Sequence, residues 1–262
     1  MSMVSFVQQE AVGFLTIDNP PLNLLTRKLM VDLDRAIEAA AHAPVRAVVL
    51  RAAGRHFGAG ADAGDLFDGV SSQEARPMLA RWRATARALE TFPVPVIAEV
   101  QGMCVGGGLE LALHCDLIVA ADSAKFASLE ANLGTVTLLG GAQRIAERIG
   151  PARARQFVYL AELHSAEACR EWGLVNRVVS EDALSDTAFE WARKLANGPT
   201  RSHAVTKRLI RSYLDGGVSA ADAVVLDLAP DIYDSADMRQ GVQVLLEHGA
   251  KNLQELTTFI GR

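Results

Sequence analysis

Gly102-Met103-Cys104-Val105-Gly106-Gly107-Gly108-Leu109-Glu110 is the stretch on which the fold turns. It follows Val96–Val100, which reads as a strand starting directly after Pro95, and its triple glycine opens a helical stretch running through His114. A buried strand, a glycine turn and a helix in that order form the repeating unit of an α/β fold. The same signals occur one unit earlier. Val45–Leu50 is a nearly continuous apolar run, suited to a strand buried on both faces, and the glycine-rich loop Gly54 to Gly64 follows it. Working outward, Val4–Gln8 and Val12–Ile17 read as a strand pair turning near Glu10, and Asn19-Pro20-Pro21 breaks any regular element. Thr26 is placed to cap a helix whose Leu29, Met30, Leu33 and Ile37 recur at helical spacing. Arg76–Thr91 reads as a helix and Leu117–Ala121 as a further strand. Helices dominate from about Gly140, with one strand expected at Val175–Val179. The pattern therefore divides into an α/β part, residues 1–197, and a wholly helical part, residues 198–262, with no repeat or long linker between them.

Composition narrows the function. A chain of 262 residues, half apolar and 22% charged, can bury a sizeable core. A net charge of -5 argues against a nucleic-acid binder driven by a basic surface. No stretch has the uninterrupted apolar length of a membrane helix, and Met1–Glu10 lacks a basic start followed by an apolar run. The three cysteines, Cys104, Cys115 and Cys169, form no CxxC pair and fit a reducing compartment. A cytoplasmic protein without membrane or nucleic-acid partners is the expectation. The six histidines are scattered without metal-ligand spacing, so no metal site is expected and the histidines read as structural or surface residues.

The two glycine turns carry the first chemical signal. Phe57-Gly58-Ala59-Gly60-Ala61-Asp62 and the turn ending in Gly106-Gly107-Gly108 each free backbone amides from side-chain shielding. Amides at a helix N-terminus have no intrahelical partner and sit at the positive end of the helix dipole. Two such turns side by side can aim two N–H donors at one oxygen, as an oxyanion hole does. Either turn alone is better read as a tight strand-to-helix connection, since glycine-rich turns are common. Neither is a phosphate loop, since GxxxxGK[ST] is absent and GxGxxG is not matched.

Two carboxylates add to that signal. Glu110 lies just inside the helix opened by the triple glycine, and Glu130 lies in Phe126-Ala127-Ser128-Leu129-Glu130-Ala131-Asn132-Leu133-Gly134. A glutamate among small and apolar residues has its pKa raised by burial, which suits it to proton transfer near neutral pH. Taken singly, Glu110 is better read as a residue favoured in the first turn of a helix, and Glu130 as an ordinary surface residue.

Read together, these segments resemble the enoyl-CoA hydratase/isomerase family, the crotonases. Leu15-Thr16-Ile17-Asp18-Asn19-Pro20-Pro21-Leu22-Asn23 is similar to the family's N-terminal signature, and Phe57 to Asp62 to its first oxyanion segment. Gly106-Gly107-Gly108-Leu109-Glu110 followed by His114-Cys115-Asp116 is similar to the second. Glu130, Leu133-Gly134-Thr135 and Gly140-Gly141-Ala142-Gln143-Arg144 resemble the next segment, and Trp172-Gly173-Leu174-Val175 the late Gly-Leu-Val turn. The resemblance runs from Val12 to Val179 and weakens in the tail.

The resemblance implies a spiral of β-β-α units capped by a helical region that builds trimers, which pair into hexamers. It implies an acyl-CoA thioester substrate and no cofactor beyond the coenzyme A of that substrate. The backbone N–H groups of Ala61 and Gly107 would bind the thioester oxygen, and Glu110 and Glu130 would flank the α and β carbons. Coenzyme A would lie along Ala59 to Asp62, with Leu66, Gly106, Thr135 and Leu138 as further substrate contacts. Phe67, Met78, Leu79 and Trp82 would either join Leu66 in an acyl pocket or be plain helix core. Arg27, Lys28 and Arg55 are the candidates for the coenzyme A phosphates.

The chain departs from the family at two places. Hydratases of the family usually carry Pro-Gly where this chain has Thr137-Leu138, and that glycine's backbone helps to hold the catalytic water. Leu129 stands where the family often has proline. Leu138 retains its N–H, yet its side chain can shrink or dry the pocket. Enoyl-CoA hydration is therefore the leading reading, because both glutamates are present. Double-bond isomerisation, which runs on one glutamate without water, comes next. A non-catalytic acyl-CoA-binding protein of the same fold is a third reading, and both glutamates count against it. An unrelated nucleotide-binding domain would need the missing phosphate loop.

Overall fold

The computed structural model describes residues 2–251 and 253–262. Its larger sheet has six strands: β1 (Val4–Gln9), β2 (Val12–Ile17), β3 (Ala47–Ala52), β4 (Val96–Val100), β6 (Leu117–Ala121) and β9 (Arg177–Val179), in that spatial order. Only β1 and β2 pair antiparallel, around a turn in which Glu10 takes a positive φ of 54°. The other pairs are parallel. Every residue of β4 is buried, as the apolar run demands of a central strand covered on both faces.

A second, three-stranded sheet holds β5 (Met103–Val105), β7 (Lys125–Ala127) and β8 (His164–Ser165). Single bridges extend it in the same direction: Gly58 pairs with Cys104, and Leu25 with Ala61. Each turn of the chain thus contributes a strand to the large sheet, then a short segment to the small layer, then a helix. β2 leads through Leu25 to α1 (Arg27–Ala41). β3 leads through Gly58 and Ala61 to α2 (Ala63–Leu66) and α3 (Ser72–Glu90). β4 leads through β5 to α4 (Gly107–Leu113). This is the β-β-α spiral. Gly102 makes the switch between sheets at φ 57°, where a Cβ would lie 2.1 Å from the Arg55 carbonyl oxygen.

Local chemistry sets the helix starts. Thr26 caps α1, its Oγ1 accepting from the Leu29 N–H at 3.0 Å. α3 begins earlier than the apolar pattern alone predicts, because Ser71 and Glu74 form a reciprocal capping box. After a 3-10 turn at Glu130–Leu133 come α5 (Gly141–Ile149), α6 (Pro151–Leu160) and α7 (Ala166–Trp172), followed by α8 (Leu184–Ala196). The expected strand at Val175–Val179 is shorter, and β5, β7 and β8 are additions to the sequence reading.

The tail is helical as expected: α9 (Thr200–Leu228), α10 (Pro230–Tyr233), α11 (Ala236–His248) and α12 (Leu253–Leu256). α9 is bent where Gly216 and Gly217 leave helical geometry. Buried and half-buried ion pairs tie it to the spiral. Lys207 meets Asp116 at 2.7 Å, and Arg211 meets Glu90 at 2.8 Å. Arg46, ahead of β3, donates to the Gly198 carbonyl, Thr200 Oγ1 and the Phe259 carbonyl. Among the described residues no helix is long and apolar enough to cross a membrane.

Candidate active site

The glycine turns meet because Gly58 and Gly108 touch backbone to backbone. A Cβ on Gly108 would lie 2.5 Å from the Gly58 carbonyl oxygen. Gly58 is itself fixed, its N–H donating to the Met103 carbonyl and its carbonyl accepting from the Val105 N–H. Leu25 then orients Ala61. The Leu25 N–H donates to the Gly60 carbonyl and its carbonyl accepts from the Asp62 N–H, both at 2.9 Å. In a parallel bridge of that pattern the intervening residue's own N–H points the other way. Gly107 is the first residue of α4, where an N–H has no intrahelical acceptor. Neither the Ala61 nor the Gly107 N–H donates to a backbone carbonyl among the described residues. The two stand close together, since a Cβ on Gly107 would lie 3.9 Å from the Gly60 carbonyl carbon.

Glu110 lies one helical turn deeper. α4 is buried along its whole length, and Glu110 is only 3% exposed. Its Oε1 accepts from the Leu139 and Gly141 N–H groups, both at 2.8 Å. Gly141 permits that approach, because a Cβ there would lie 3.2 Å from the same oxygen. Burial pushes the Glu110 carboxyl up to about 7, helped by the nearby charge of Glu130 and opposed by the N–H groups of Gly141, Leu139 and Leu138. Oε2 has no hydrogen bond from the described residues.

Glu130 is held in the same manner from the other side. The buried Ser128 hydroxyl donates to Glu130 Oε2 at 2.6 Å. Glu130 Oε1 lies toward the Gly106–Gly108 turn, 3.5 Å from where a Gly106 Cβ would stand. Each glutamate thus has one oxygen anchored by the protein and one free of hydrogen bonds among the described residues, and both residues line one space.

That space is a cavity of about 290 Å³. The structure brings Ala59, Ala61, Leu66, Gly106, Gly107, Glu110, Glu130, Thr135 and Leu138 together in its wall. Phe67, Met78, Leu79 and Trp82 line it too, so they face a pocket and are not plain helix core. Asp62 is the exception. Its Oδ1 accepts from the Asp65 N–H at 3.1 Å and caps α2, outside the wall. Of the basic candidates, Arg27 is engaged with Asp65 and Lys28 with Asp32, while Arg55 is exposed. His114 serves structure: its Nδ1 bonds to the Glu110 carbonyl at 2.8 Å, and burial holds its pKa down to about 4. Among the described residues no cluster of three His, Cys, Asp or Glu side chains could hold a metal.

The description enoyl-CoA hydratase/isomerase belongs to the family whose model matches residues 7–255. The chain belongs to that family. A probable enoyl-CoA hydratase of Rhodobacter capsulatus is 32% identical over 250 residues, covering 91% of this chain and 92% of its own. The short-chain-enoyl-CoA hydratase of Clostridium acetobutylicum is 29% identical, covering 94% and 95%. Among solved structures, an enoyl-CoA hydratase subunit I of Geobacillus kaustophilus superposes with a TM-score of 0.90 at 31% identity, covering 99% of this chain and 98% of its own. The fold is the crotonase fold of these enzymes.

Sequence reasoning missed the groups that hold this crotonase-family site in place. Ser128 and Leu139 carry no motif of their own, and Gly141 lies in the Gly140–Arg144 segment with no sign there that its N–H meets Glu110. The one available signal is Ser128, two residues ahead of Glu130, where a hydroxyl can reach a neighbouring carboxylate.

Proposed function

We propose that this chain is an enoyl-CoA hydratase that adds water across the 2,3 double bond of an enoyl-CoA thioester. The observation that carries the reading is the pair of glutamates, each anchored through one oxygen with the other free, on the wall of a cavity that also holds two unpaired amides. The Ala61 and Gly107 N–H groups receive the thioester oxygen. One free carboxylate takes a proton from water as the water oxygen bonds to the β carbon. The π electrons of the double bond shift toward the thioester oxygen, where the two amides stabilise the enolate. The electron pair then returns to the α carbon and takes a proton from the other carboxyl. Losing one such amide donor costs roughly 3 kcal/mol of transition-state stabilisation. A carboxyl near 7 both gives and takes a proton at neutral pH, as a reversible hydration requires. No redox or metal cofactor is called for by these steps.

Leu138 favours a second reading. It lines the cavity beside Glu110 and adds apolar surface where water would stand. Shift of a 3,4 to a 2,3 double bond needs a proton shuttle and no water, and one glutamate suffices. The test is loss of enoyl absorbance with crotonyl-CoA by wild type, Glu110→Gln and Glu130→Gln. Hydration predicts turnover in the wild type and losses of roughly 10²–10⁴-fold in both variants. Turnover surviving both changes would falsify the two-carboxylate mechanism. Conversion of a 3-enoyl thioester without hydration of crotonyl-CoA would establish the isomerase.

We propose further that residues 1–197 form the acyl-CoA unit and 198–262 the assembly unit of a homotrimer or hexamer working in the cytoplasm. Its three free, buried cysteines and the apolar side chains exposed along α9 and α11 support that reading.

A further inference from the structure

Two cavities meet at one side chain. Leu139 lines the acyl cavity and also a second cavity of about 760 Å³. Leu133 and Val136 of the acyl cavity are exposed, whereas Leu66, Trp82 and Leu139 are buried, so Leu139 stands at the inner end. Its main chain is pinned there, because its N–H donates to Glu110 Oε1. Leu139, itself 3% exposed, is the one residue common to the two linings.

The second cavity has different chemistry. It lies between α3, the end of α4, α5 and α9, and Arg83, Arg87, Glu90, Arg144, Glu147 and Arg211 line it. Glu90 is paired twice, with Arg144 at 2.7 Å and Arg211 at 2.8 Å. Arg211 also holds Asp215. Arg83 and Arg87 have no carboxylate within ion-pair distance among the described residues. Four arginines stand in its lining against Glu90, Glu147 and Asp215, which leaves one positive charge over, and Arg83 and Arg87 are exposed.

Volume decides what the acyl cavity takes. The acyl cavity of about 290 Å³, with buried Leu139 at its inner end, takes a thioester head and a short chain. A ten-carbon chain has to pass Leu139.

We infer that Leu139 is the specificity-determining partition of this site: it restricts the protein to short acyl thioesters and shuts off an arginine-lined chamber suited to a longer chain ending in a carboxylate. The inference rests on the acyl-CoA reading above but not on hydration, so its test uses saturated thioesters that cannot turn over. Equilibrium binding is measured by calorimetry for butanoyl-CoA, decanoyl-CoA and the mono-CoA thioester of decanedioic acid, with wild type, Leu139→Val and Leu139→Ala. A cooperative thermal melt verifies that each variant is folded.

The wild type is expected to prefer butanoyl-CoA over both ten-carbon thioesters by about tenfold or more. Leu139→Ala shifts that ratio toward the long chains by about tenfold, the value of burying two more methylenes, and Leu139→Val shifts it less. The carboxylated chain gains more than decanoyl-CoA, and Leu139→Ala with Arg87→Ala loses that extra gain. A wild type that binds decanoyl-CoA as tightly as butanoyl-CoA overturns the partition, as does a folded Leu139→Ala with an unshifted ratio. Equal gains for the two long chains overturn the anion-receiving chamber. If no protein binds any of the thioesters, the acyl-CoA reading fails and the partition with it.

Discussion

Glu110 holds its proton more tightly than an exposed carboxyl. The unfolded chain releases that proton near 4.5, the folded protein at about 7, and burial is the main cause. Below pH 4.5 the group is protonated in both states and costs nothing. Between 4.5 and about 7 the folded state keeps a proton that the unfolded state has lost, so stability falls as pH rises. Above that range the full cost remains. Glu110→Gln keeps an oxygen to accept from the Leu139 and Gly141 N–H groups and carries no charge. Its stability relative to wild type should therefore rise by about 3 kcal/mol between pH 4.5 and 8. Urea unfolding at the two pH values measures this, and a difference that does not change with pH would sink the assignment. Both glutamates are legible in the sequence because each sits inside a recognisable motif. What holds Glu110 is not, since Leu139 and Gly141 lie 29 and 31 residues downstream and reach it only through the fold.

The crossing of α4 over the Gly58 turn is where an element, and not a side chain, makes the site. Replacing glycine by alanine in a helix ordinarily stabilises by about 1 kcal/mol. At Gly108 the sign reverses. A Cβ there meets three backbone atoms of Gly58 within 2.8 Å, and the hydrogen bonds to Met103 and Val105 prevent that backbone from moving aside. Gly108→Ala should cost about 2 kcal/mol by overpacking and lower the melting temperature by roughly 4–8 °C. It should also separate the Ala61 and Gly107 amides and slow turnover. A calorimetric melt equal to wild type would show that the two turns are less tightly coupled than this. The long elements of this layer were readable: β6 from an unbroken apolar run, β4 from a run interrupted only by Glu99, α1 from its period and its threonine cap. The second sheet was not. β5, β7 and β8 are two or three residues long, too short for a period to show, and their partners come from remote turns of the spiral. The bend at Gly216-Gly217 carried a signal, two adjacent glycines inside a helical pattern, that the reading of an unbroken helical tail passed over.

At the scale of the molecule the tail presents a conflict that the proposed assembly would resolve. Ion pairs and hydrogen bonds from Arg46, Lys207 and Arg211 fasten its start and its end to the spiral. Between those anchors, apolar side chains face solvent: Leu226 is 80% and Leu246 81% exposed, with Val218 and Tyr233 also uncovered. Contiguous exposed apolar surface on a folded chain marks a contact with another chain. Because the anchors are internal to one chain, the tail should stay docked when that contact is lost. Leu226→Asp with Leu246→Asp places two charges where a neighbour would pack. Light scattering behind gel filtration should find the wild type at three or six times the 28.1 kDa chain mass and the variant at one. The variant should still melt cooperatively and still bind butanoyl-CoA, because every wall of the acyl cavity comes from residues 25–139 of the same chain. A wild type already at the mass of one chain would remove the assembly reading. A variant monomer that no longer binds the thioester would mean that a neighbouring chain supports the site from outside its own wall.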